Sequence, residues 1–296
     1  MIVHATRRLP GDAWDELGEV ETGPLTAAGA DVEAVIVAGD RIDAAVLERL
    51  PNLRLVANYG VGYDNVDVNA CHARGVTVTN TPGVVDAATA DLAIALALAA
   101  RRGLVEGDRL VRAGGWDDGW SSSELLARDL SGATLGIVGM GRIGGAVARR
   151  ARAFDMRVLF YRRTPTGDPD QRELDDLQRE SDVVSVHTPL AADTRGLISR
   201  ERLALLRDGA TLVNTARGAI VDEDALVDEL VAGRISAGLD VYVHEPSVPE
   251  ALFDLPNVVL APHIGTATVE TREAMTRLLV DNVLAARRGE PLLTPV

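Results

Sequence analysis

Lysine is absent from this sequence: all 30 of its Lys and Arg residues are arginine. This absence excludes reactions that need a lysine amine, such as Schiff-base formation with pyridoxal phosphate, phosphate binding by a Walker-type lysine, or a Tyr-x-x-x-Lys reductase dyad. Any carbonyl chemistry in this chain must therefore depend on arginine, histidine, carboxylates or hydroxyl groups.

Cysteine and aromatic residues are also scarce. The single cysteine, Cys71, excludes an intramolecular disulfide and a cysteine-based metal site, and favours a reducing compartment. Aromatic residues make up 3% of the chain, so the core must consist mainly of Val, Leu, Ile and Ala. No basic segment precedes an apolar run at Met1–Val3, and the most apolar stretch, Leu92–Ala100, is too short to span a bilayer. We therefore expect a cytoplasmic protein without membrane or metal partners.

The charge balance is acidic, with a formal net charge of −14. A polyanion repels a protein of this charge unless a basic patch is present, and the arginines form no dense run. We therefore expect no nucleic acid partner.

Short β-branched runs alternate with helical patterns along the chain, which predicts βα units and parallel sheets. The length of 296 residues favours two domains. A long helix is predicted from about residue 86, and the last helical stretch, Val269–Arg288, has no strand after it. The predicted fold is α/β with two doubly wound parallel sheets. The predicted strands lie near residues 2–5, 32–38, 53–58 and 76–79, and then near 135–139, 157–161, 182–187, 210–215, 236–242 and 257–261.

The segment "TLGIVGMGRIGGAVARRA" is a strand that enters a glycine-rich turn and leaves it as a helix. In this G-x-G-x-x-G spacing, Gly139 permits the tight turn, Gly141 lets the backbone approach a pyrophosphate, and Gly144 allows close packing of helix on strand. The N–H groups of the first helical residues, Arg142 and Ile143, are expected to face the anion. The pattern predicts a dinucleotide site, and the alternative is a plain tight turn.

The end of the next strand, at Tyr161, indicates which dinucleotide is preferred. Sites for NAD usually place an acid there to bind the ribose 2′-hydroxyl. This chain has Arg162, Arg163 and Thr164 instead, and arginine forks match a 2′-phosphate. We therefore expect NADP(H) to be the preferred cofactor, with NAD(H) possible. The alternative is that both arginines are solvated surface charges.

Polar residues follow the later strands at the sheet edge where ligands of doubly wound folds bind. Taken singly, a histidine there is more often a packed or capping residue, and an arginine a surface charge; their coincidence beside a dinucleotide turn favours a site. The residues are His187-Thr188-Pro189, Asn214-Thr215-Ala216-Arg217-Gly218, Asp240 with His244-Glu245-Pro246, and His263.

These residue types suit the reduction of a 2-oxo acid. Arg217 offers paired donors to a carboxylate and can polarise the adjacent carbonyl. His263 can give a proton to the carbonyl oxygen, and Glu245 can hold the imidazole in one tautomer and favour its protonated form. No metal and no lysine is needed.

At these residues the sequence resembles the D-isomer-specific 2-hydroxyacid dehydrogenases, most closely the glyoxylate/hydroxypyruvate reductase branch. The resemblance implies a Rossmann cofactor domain, residues 87–267, inserted in a flavodoxin-like substrate domain of residues 1–86 and 268–296. It also implies a homodimer and a small 2-oxo or 2-hydroxy acid substrate. The motifs that carry it are "VANYGVGYDNVD", "GVTVTNTPGVVDAATADLA", "DLSGATLGIVGMGRIG", "LVNTARGAIVDEDAL", "GLDVYVHEP" and "VVLAPHIGTAT", in family order.

The resemblance implies a role for each matched residue. The catalytic trio falls on Arg217, Glu245 and His263, and the backbone N–H groups of Val61 and Gly62 are expected to bind the substrate carboxylate, together with Arg217 and His263. The remaining candidates are cofactor contacts: Asp240 beside the nicotinamide carboxamide, Thr89 beside the phosphates, and His187, Thr188, Pro189, Thr215 and Ala216.

Other functions stay open at this point. Formate dehydrogenases of this family carry glutamine where Glu245 stands, which counts against that activity. A D-3-phosphoglycerate dehydrogenase, or a dehydrogenase for another D-2-hydroxy acid, is an alternative, although the acid after Tyr161 is missing. A non-catalytic NAD(P)-sensing corepressor of the same fold is another. Tyr59, Tyr63 and the Trp116–Trp120 segment are candidates to shape the substrate pocket.

Overall fold

A computed structural model describes residues 1–117, 119 and 121–296, which form two compact units. The first unit contains residues 1–86 and 266–296, and the second contains residues 87–265. The division at residue 265 falls slightly before the expected boundary at 267. Trp120, at the end of the candidate pocket segment, lies outside the described residues.

The strands are short and almost entirely buried, as expected for parallel sheets covered on both faces. They are β1 (Val3–Ala5), β2 (Glu21–Thr22), β3 (Ala34–Val37), β4 (Leu55–Asn58), β5 (Thr77–Thr79), β6 (Thr134–Val138), β7 (Arg157–Tyr161), β8 (Val183–Val186), β9 (Thr211–Asn214), β10 (Ser236–Leu239) and β11 (Val258–Leu260).

Helices alternate with these strands along the chain. The α-helices are α1 (Ala44–Arg49), α2 (Val68–Ala73), α3 (Asp86–Arg101), α4 (Leu104–Arg112), α5 (Arg142–Ala153), α6 (Leu174–Glu180), α7 (Arg200–Ala204), α8 (Glu223–Val231) and α9 (Val269–Arg288). Short 3₁₀ helices cover Asp12–Leu17, Leu25–Ala27, Gly218–Ile220 and Glu250–Leu252. Among the described residues, none of these helices combines the length and apolarity needed to cross a membrane.

The first unit has one parallel sheet with the strand order β2-β1-β3-β4-β5. This is the flavodoxin-like order, so the fold class predicted from the sequence is confirmed for this unit. Its strand β2 was not predicted, because both of its residues are exposed and polar and therefore give no hydrophobic signal.

The second unit has a parallel sheet with the order β11-β10-β9-β8-β6-β7. The chain runs from β6 to the edge strand β7 and then returns to β8 on the other side of β6. The order therefore reverses between β6 and β8, and ligands of doubly wound sheets bind at the carboxyl ends of the strands at such a point. The predicted doubly wound sheet is confirmed.

Both faces of this second sheet are covered. On β7, Val158 and Phe160 pack into one hydrophobic cluster and Leu159 packs into another, as the alternation of side chains in a strand requires. The clusters consist almost entirely of aliphatic residues, in keeping with the low aromatic content. Packed residues on both faces thus support the strand ends on which the candidate site is built.

Candidate active site

A histidine and a carboxylate that follow two neighbouring strands, β11 and β10, are hydrogen-bonded in the second unit. His263 Nδ1 lies 2.7 Å from Glu245 Oε2, and Glu245 Oε1 accepts the Tyr242 N–H at 3.0 Å. Both carboxylate oxygens are therefore engaged, which fixes the direction of the imidazole. The His263 side chain is 50% exposed. Because Nδ1 is committed to Glu245, Nε2 is the nitrogen that can exchange a proton with a bound molecule.

Asp240 holds the segment that carries His263. Its backbone carbonyl accepts the His263 N–H at 2.9 Å, and its carboxylate accepts the N–H groups of Ile264 at 2.7 Å and Gly265 at 2.8 Å. His263 has a φ of 54°, a left-handed conformation that non-glycine residues adopt only where the surroundings impose it. These three bonds supply that constraint. The contact of Asp240 with a cofactor stays a prediction.

The turn that carries Arg217 follows β9 and is closed by Asn214. The Asn214 amide donates to the Arg217 carbonyl at 2.9 Å, and its Oδ1 accepts the Ala216 N–H at 3.0 Å. Arg217 Nη1 donates to the Ala216 carbonyl at 2.8 Å. A Cβ at Gly218 would lie 2.1 Å from the Tyr242 carbonyl carbon, so only glycine lets this turn pack against the segment leading to Glu245.

The charges of the trio act on one another. Burial alone would raise the pKa of Glu245, but hydrogen bonds from His263 and from the Tyr242 N–H, with the positive charges of His263 and Arg217, outweigh it and lower this pKa. Glu245 is therefore an anion at neutral pH and places a negative charge against His263 Nδ1. Burial raises the pKa of Asp240, with only partial opposition from the Ile264 and Gly265 N–H groups.

The glycine-rich turn has the shape that a dinucleotide site needs. Gly139 has a φ of 103°, and a Cβ there would lie 2.8 Å from the His187 backbone. A Cβ at Gly144 would lie 2.3 Å from the Gly139 carbonyl oxygen, so glycine is needed for close packing of α5. A Cβ at Gly141, by contrast, would have no atom within 4 Å among the described residues. The backbone at Gly141, at the start of α5, is therefore open to the approach of an anion.

The segment after β7 is held by Gln171, whose amide donates to the carbonyls of Arg162 at 3.0 Å and Thr164 at 3.3 Å. Arg163 is ion-paired with Asp193, which lies on the segment after β8. The sequence did not indicate this partner. Arg162 and Thr164 therefore carry the NADP hypothesis more directly than Arg163 does.

His187, at the end of β8, is not equivalent to His263. Its Nε2 lies 2.8 Å from Ser185 Oγ, and its backbone N–H donates to the Val138 carbonyl at 2.8 Å. Burial lowers the pKa of His187 to about 4, so this imidazole is neutral at neutral pH. It therefore suits a structural or cofactor-contacting role rather than proton donation. Thr188 and Pro189 follow it directly at the switch point of the sheet.

Two buried threonines also lie at this edge of the sheet. The Thr215 hydroxyl, directly after β9, has no partner among the described residues, which fits a role in binding a ligand. Ala216 follows it as part of the turn held by Asn214. Thr89 on α3 lies beside Gly265, where a Cβ would be 3.7 Å from the Thr89 hydroxyl. Thr89 thus lies beside the segment that Asp240 holds.

The remaining candidates lie in other segments. Val61 and Gly62 belong to a loop of the first unit after β4, and sequence reasoning missed the two residues that hold this loop, Asn58 and Asn80. The Tyr59 hydroxyl donates to the Arg272 carbonyl at 2.8 Å. Two further pocket candidates are exposed, Tyr63 in the first unit and Trp116 in the second. In the part of the chain that is described, no cluster of three or more His, Cys, Asp or Glu side chains is arranged to hold a metal ion.

Comparison with known proteins gives the same family for both units. The family model for "D-isomer specific 2-hydroxyacid dehydrogenase, NAD binding domain" matches residues 94–265. A glyoxylate reductase from Pyrococcus furiosus is 47% identical over 290 residues, which cover 94% of this chain and 86% of that protein.

Two solved structures are similar over nearly their whole length. One is an NADPH-dependent glyoxylate/hydroxypyruvate reductase from Sinorhizobium meliloti in complex with NADP and malonate, with a TM-score of 0.90, 37% identity and coverage of 99% of this chain and 96% of that chain. The other is a D-lactate dehydrogenase from Aquifex aeolicus complexed with NAD and lactic acid, with a TM-score of 0.88, 28% identity and coverage of 98% and 96%.

Proposed function

The chain belongs to the family of D-isomer-specific 2-hydroxyacid dehydrogenases, and from this premise we propose that it reduces glyoxylate, hydroxypyruvate or a similarly small 2-oxo acid to the D-2-hydroxy acid with NAD(P)H. The observation that carries the proposal is the hydrogen bond of 2.7 Å between His263 and Glu245 at the sheet edge that also presents Arg217. An acid, its orienting carboxylate and a carboxylate-binding cation are the groups that such a reduction needs.

Each member of the trio has one task in the proposed reaction. Arg217 binds the substrate carboxylate through paired donors and polarises the keto oxygen. Gly139, Gly141 and Gly144 would hold the pyrophosphate of a reduced nicotinamide cofactor, which would supply the hydride to the keto carbon. His263 gives its Nε2 proton to the keto oxygen as negative charge develops there, and Glu245 stabilises the imidazolium before this transfer. The added hydride and proton balance the conversion of the ketone to the alcohol.

We further propose that the second unit binds the cofactor and that the first contributes to substrate binding. Gly139, Gly141 and Gly144 with the first turn of α5 would hold the pyrophosphate, supported by the open space in front of Gly141. The Val61 and Gly62 N–H groups would bind the substrate carboxylate. Candidate contacts along the rest of the cofactor are Thr89, Arg142, Ile143, His187, Thr188, Pro189, Thr215, Ala216 and Asp240.

Absorbance at 340 nm tests the proposed activity. The purified protein is mixed with NADPH or NADH and with glyoxylate, hydroxypyruvate, phenylpyruvate or 3-phosphohydroxypyruvate, and the loss of reduced cofactor is followed. We expect turnover of the two small acids. A clear preference for 3-phosphohydroxypyruvate would favour the phosphoglycerate alternative, and cofactor binding without turnover of any acid would favour a sensing protein.

NADP(H) is proposed as the preferred cofactor because Arg162 and Thr164 follow β7 where an NAD site usually has an acid. Replacing Arg162 and Arg163 together by serine is expected to weaken NADPH binding by about tenfold to a hundredfold while NADH binding changes little, since charge-assisted bonds to the 2′-phosphate are lost. Fluorescence titration with both cofactors measures this. An equal loss for NADPH and NADH would contradict the assignment.

We also propose a homodimer and a cytoplasmic location. Exposed apolar side chains are concentrated on α4 and the segment after it, which supports an interface there. The cytoplasmic proposal rests on the sequence having a single cysteine, Cys71, which is free and buried in the structure. Light scattering tests the dimer, and a mass equal to the 31.4 kDa of one chain would count against it.

A further inference from the structure

Two buried asparagines of the first unit bind the backbone of the loop that contains Val61 and Gly62. The Asn58 amide donates to the carbonyls of Gly60 at 3.2 Å and Gly62 at 2.9 Å. The Asn80 amide donates to the Val61 carbonyl at 2.9 Å. Asn58 is 2% exposed and Asn80 is 8% exposed, so both amides act from within the protein. Three consecutive carbonyls of the loop are therefore engaged by side chains.

These contacts determine where the loop N–H groups point. In a planar trans peptide the C=O of one residue and the N–H of the next point in opposite directions. Holding the Gly60 carbonyl therefore directs the Val61 N–H away from Asn58, and holding the Val61 carbonyl directs the Gly62 N–H away from Asn80. Among the described residues, no protein group accepts either N–H. Each asparagine thus orients one of the two donors proposed for the substrate carboxylate.

We call the hydrogen bonds from Asn58 and Asn80 to the loop carbonyls the clamp. The loop needs it because Gly60 and Gly62 flank Val61. Glycine has no Cβ to restrict its backbone, so a sequence of this kind can rotate its peptide groups at little cost. The carbonyl contacts of Asn58 and Asn80 remove that freedom before a ligand binds, and preorganised donors bind more tightly than donors that must first be ordered.

Asn80 is itself held by the segment 293–296. Asn80 N–H donates to the Thr294 carbonyl at 3.3 Å, and the Thr294 hydroxyl donates to the Asn80 carbonyl at 2.7 Å. Asn282 on α9 is fully buried, and its amide donates to the Thr294 hydroxyl at 3.0 Å. Its Oδ1 accepts the Leu293 N–H at 2.9 Å and the Thr294 N–H at 3.2 Å. A continuous chain of hydrogen bonds therefore runs from α9 through Thr294 and Asn80 to the loop.

We propose that Asn80, held by Thr294 and Asn282, is a positioning residue for the substrate carboxylate, acting through the Val61 carbonyl on the Gly62 N–H. The proposal rests on the proposed function in one respect, the binding of the carboxylate by this loop. It assigns the segment 293–296, far along the chain from the loop, to the substrate-binding machinery.

Steady-state kinetics and binding of oxamate, an unreactive analogue of a 2-oxo acid, test the proposal. Asn80→Ala is expected to raise both KM for glyoxylate and Kd of oxamate in the presence of cofactor by about tenfold, as befits weakened bonds to a charged group. The kcat is expected to stay within about threefold, because the trio is unchanged, and cofactor affinity is expected not to change.

Variants of Thr294 keep the test independent of any folding defect in Asn80→Ala. Thr294→Val removes the hydroxyl with little change of volume and is expected to raise KM and the oxamate Kd in the same direction by a smaller factor. Thr294→Ser keeps the hydroxyl and should restore values near those of the unsubstituted protein. Asn52→Ala is the matched control, since the Asn52 amide also donates to a backbone carbonyl, that of Ala30 at 3.1 Å, far from the loop.

The outcomes separate this proposal from the proposed function. Unchanged KM and oxamate Kd in Asn80→Ala, with only kcat or thermal stability reduced, would mean a merely structural role and would overturn the proposal. If the protein binds oxamate but reduces no 2-oxo acid, the proposed activity fails while a weakened oxamate Kd still supports the clamp. If the unsubstituted protein binds no oxamate, the clamp is refuted as well.

Discussion

Replacing Arg217 by alanine is expected to lower kcat/KM for glyoxylate by about a thousandfold or more, with both a higher KM and a lower kcat. The guanidinium is proposed to bind the substrate carboxylate in the ground state and to stabilise the keto oxygen as negative charge develops on it. Removing one hydrogen-bond donor to such a developing charge typically lowers kcat by about a hundredfold to a thousandfold. The positive charge that helps to lower the pKa of Glu245 is lost at the same time. Steady-state kinetics measures both effects.

Two further variants sharpen this experiment. Arg217→Lys keeps the charge but not the planar pair of donors, so it is expected to recover only part of the activity. Arg200→Ala, which removes an exposed arginine paired with Asp228 at 2.8 Å, is the control for loss of a surface arginine and should behave like the unsubstituted protein. Near-normal kinetics of Arg217→Ala would refute the role assigned to it.

The strands of both sheets were predictable because parallel strands are buried on both faces and appear in the sequence as short continuous apolar runs. β8 illustrates this, since every residue of Val183–Val186 is buried and three of the four are valine. The rule fails at β2, where two exposed residues pair with β1 through backbone groups alone. Backbone pairing at a sheet edge does not require apolar side chains, so the hydrophobic pattern of the sequence does not predict it.

In the second unit, the polar residues at the strand ends predicted a site because the carboxyl ends of parallel strands lie at one edge of the sheet. The rule predicts that His263 and Glu245 lie at the same edge of the sheet, and the structure has a hydrogen bond between them. The same rule applies to Asn58 and Asn80, which end or follow the neighbouring strands β4 and β5 beside the candidate loop. Polar residues at those strand ends were a signal that sequence reasoning did not use.

Partners of individual polar groups were not predictable, because they depend on segments far apart in the chain. Asp240 has both carboxylate oxygens bound to the backbone after β11, which no periodicity indicates. The ion pair of Arg163 with Asp193 likewise joins two loops whose relation appears only in the folded sheet. The residue types at the site were therefore readable from the sequence, but the bonds that orient them were not.

Replacing His263 by glutamine is expected to lower kcat for reduction by about a hundredfold to ten thousandfold, the usual contribution of a positioned acid. Glutamine keeps a polar group near Glu245 but cannot supply a proton. Cofactor affinity is expected to change little, because the His263 side chain is not among the proposed cofactor contacts. Kinetics at saturating substrate, with a separate cofactor titration, distinguishes this loss from a general defect of the site.

The dependence of reduction on pH tests the partnership of His263 with Glu245. Because the pKa of Glu245 is lowered, its carboxylate is charged throughout the neutral range. The charge is lost only as the pH falls below the range in which a glutamate ordinarily titrates. This charge lies in hydrogen-bond contact with His263, the group proposed to supply the proton for reduction. Because the proposed reduction consumes one proton for each hydride, the rate is expected to fall as the pH rises.

Glu245→Gln removes the charge while keeping a hydrogen-bonding group in contact with Nδ1. The protonated imidazole is then less favoured, so the alkaline fall in the reduction rate should begin at a lower pH than in the unsubstituted protein. His263→Gln should show no such fall, because the proposed proton donor is gone. If the pH profile of Glu245→Gln coincides with that of the unsubstituted protein, the Glu245 charge does not influence proton transfer and the carboxylate only orients the imidazole. A shift of the profile to lower pH would link the 2.7 Å contact to the protonation of His263.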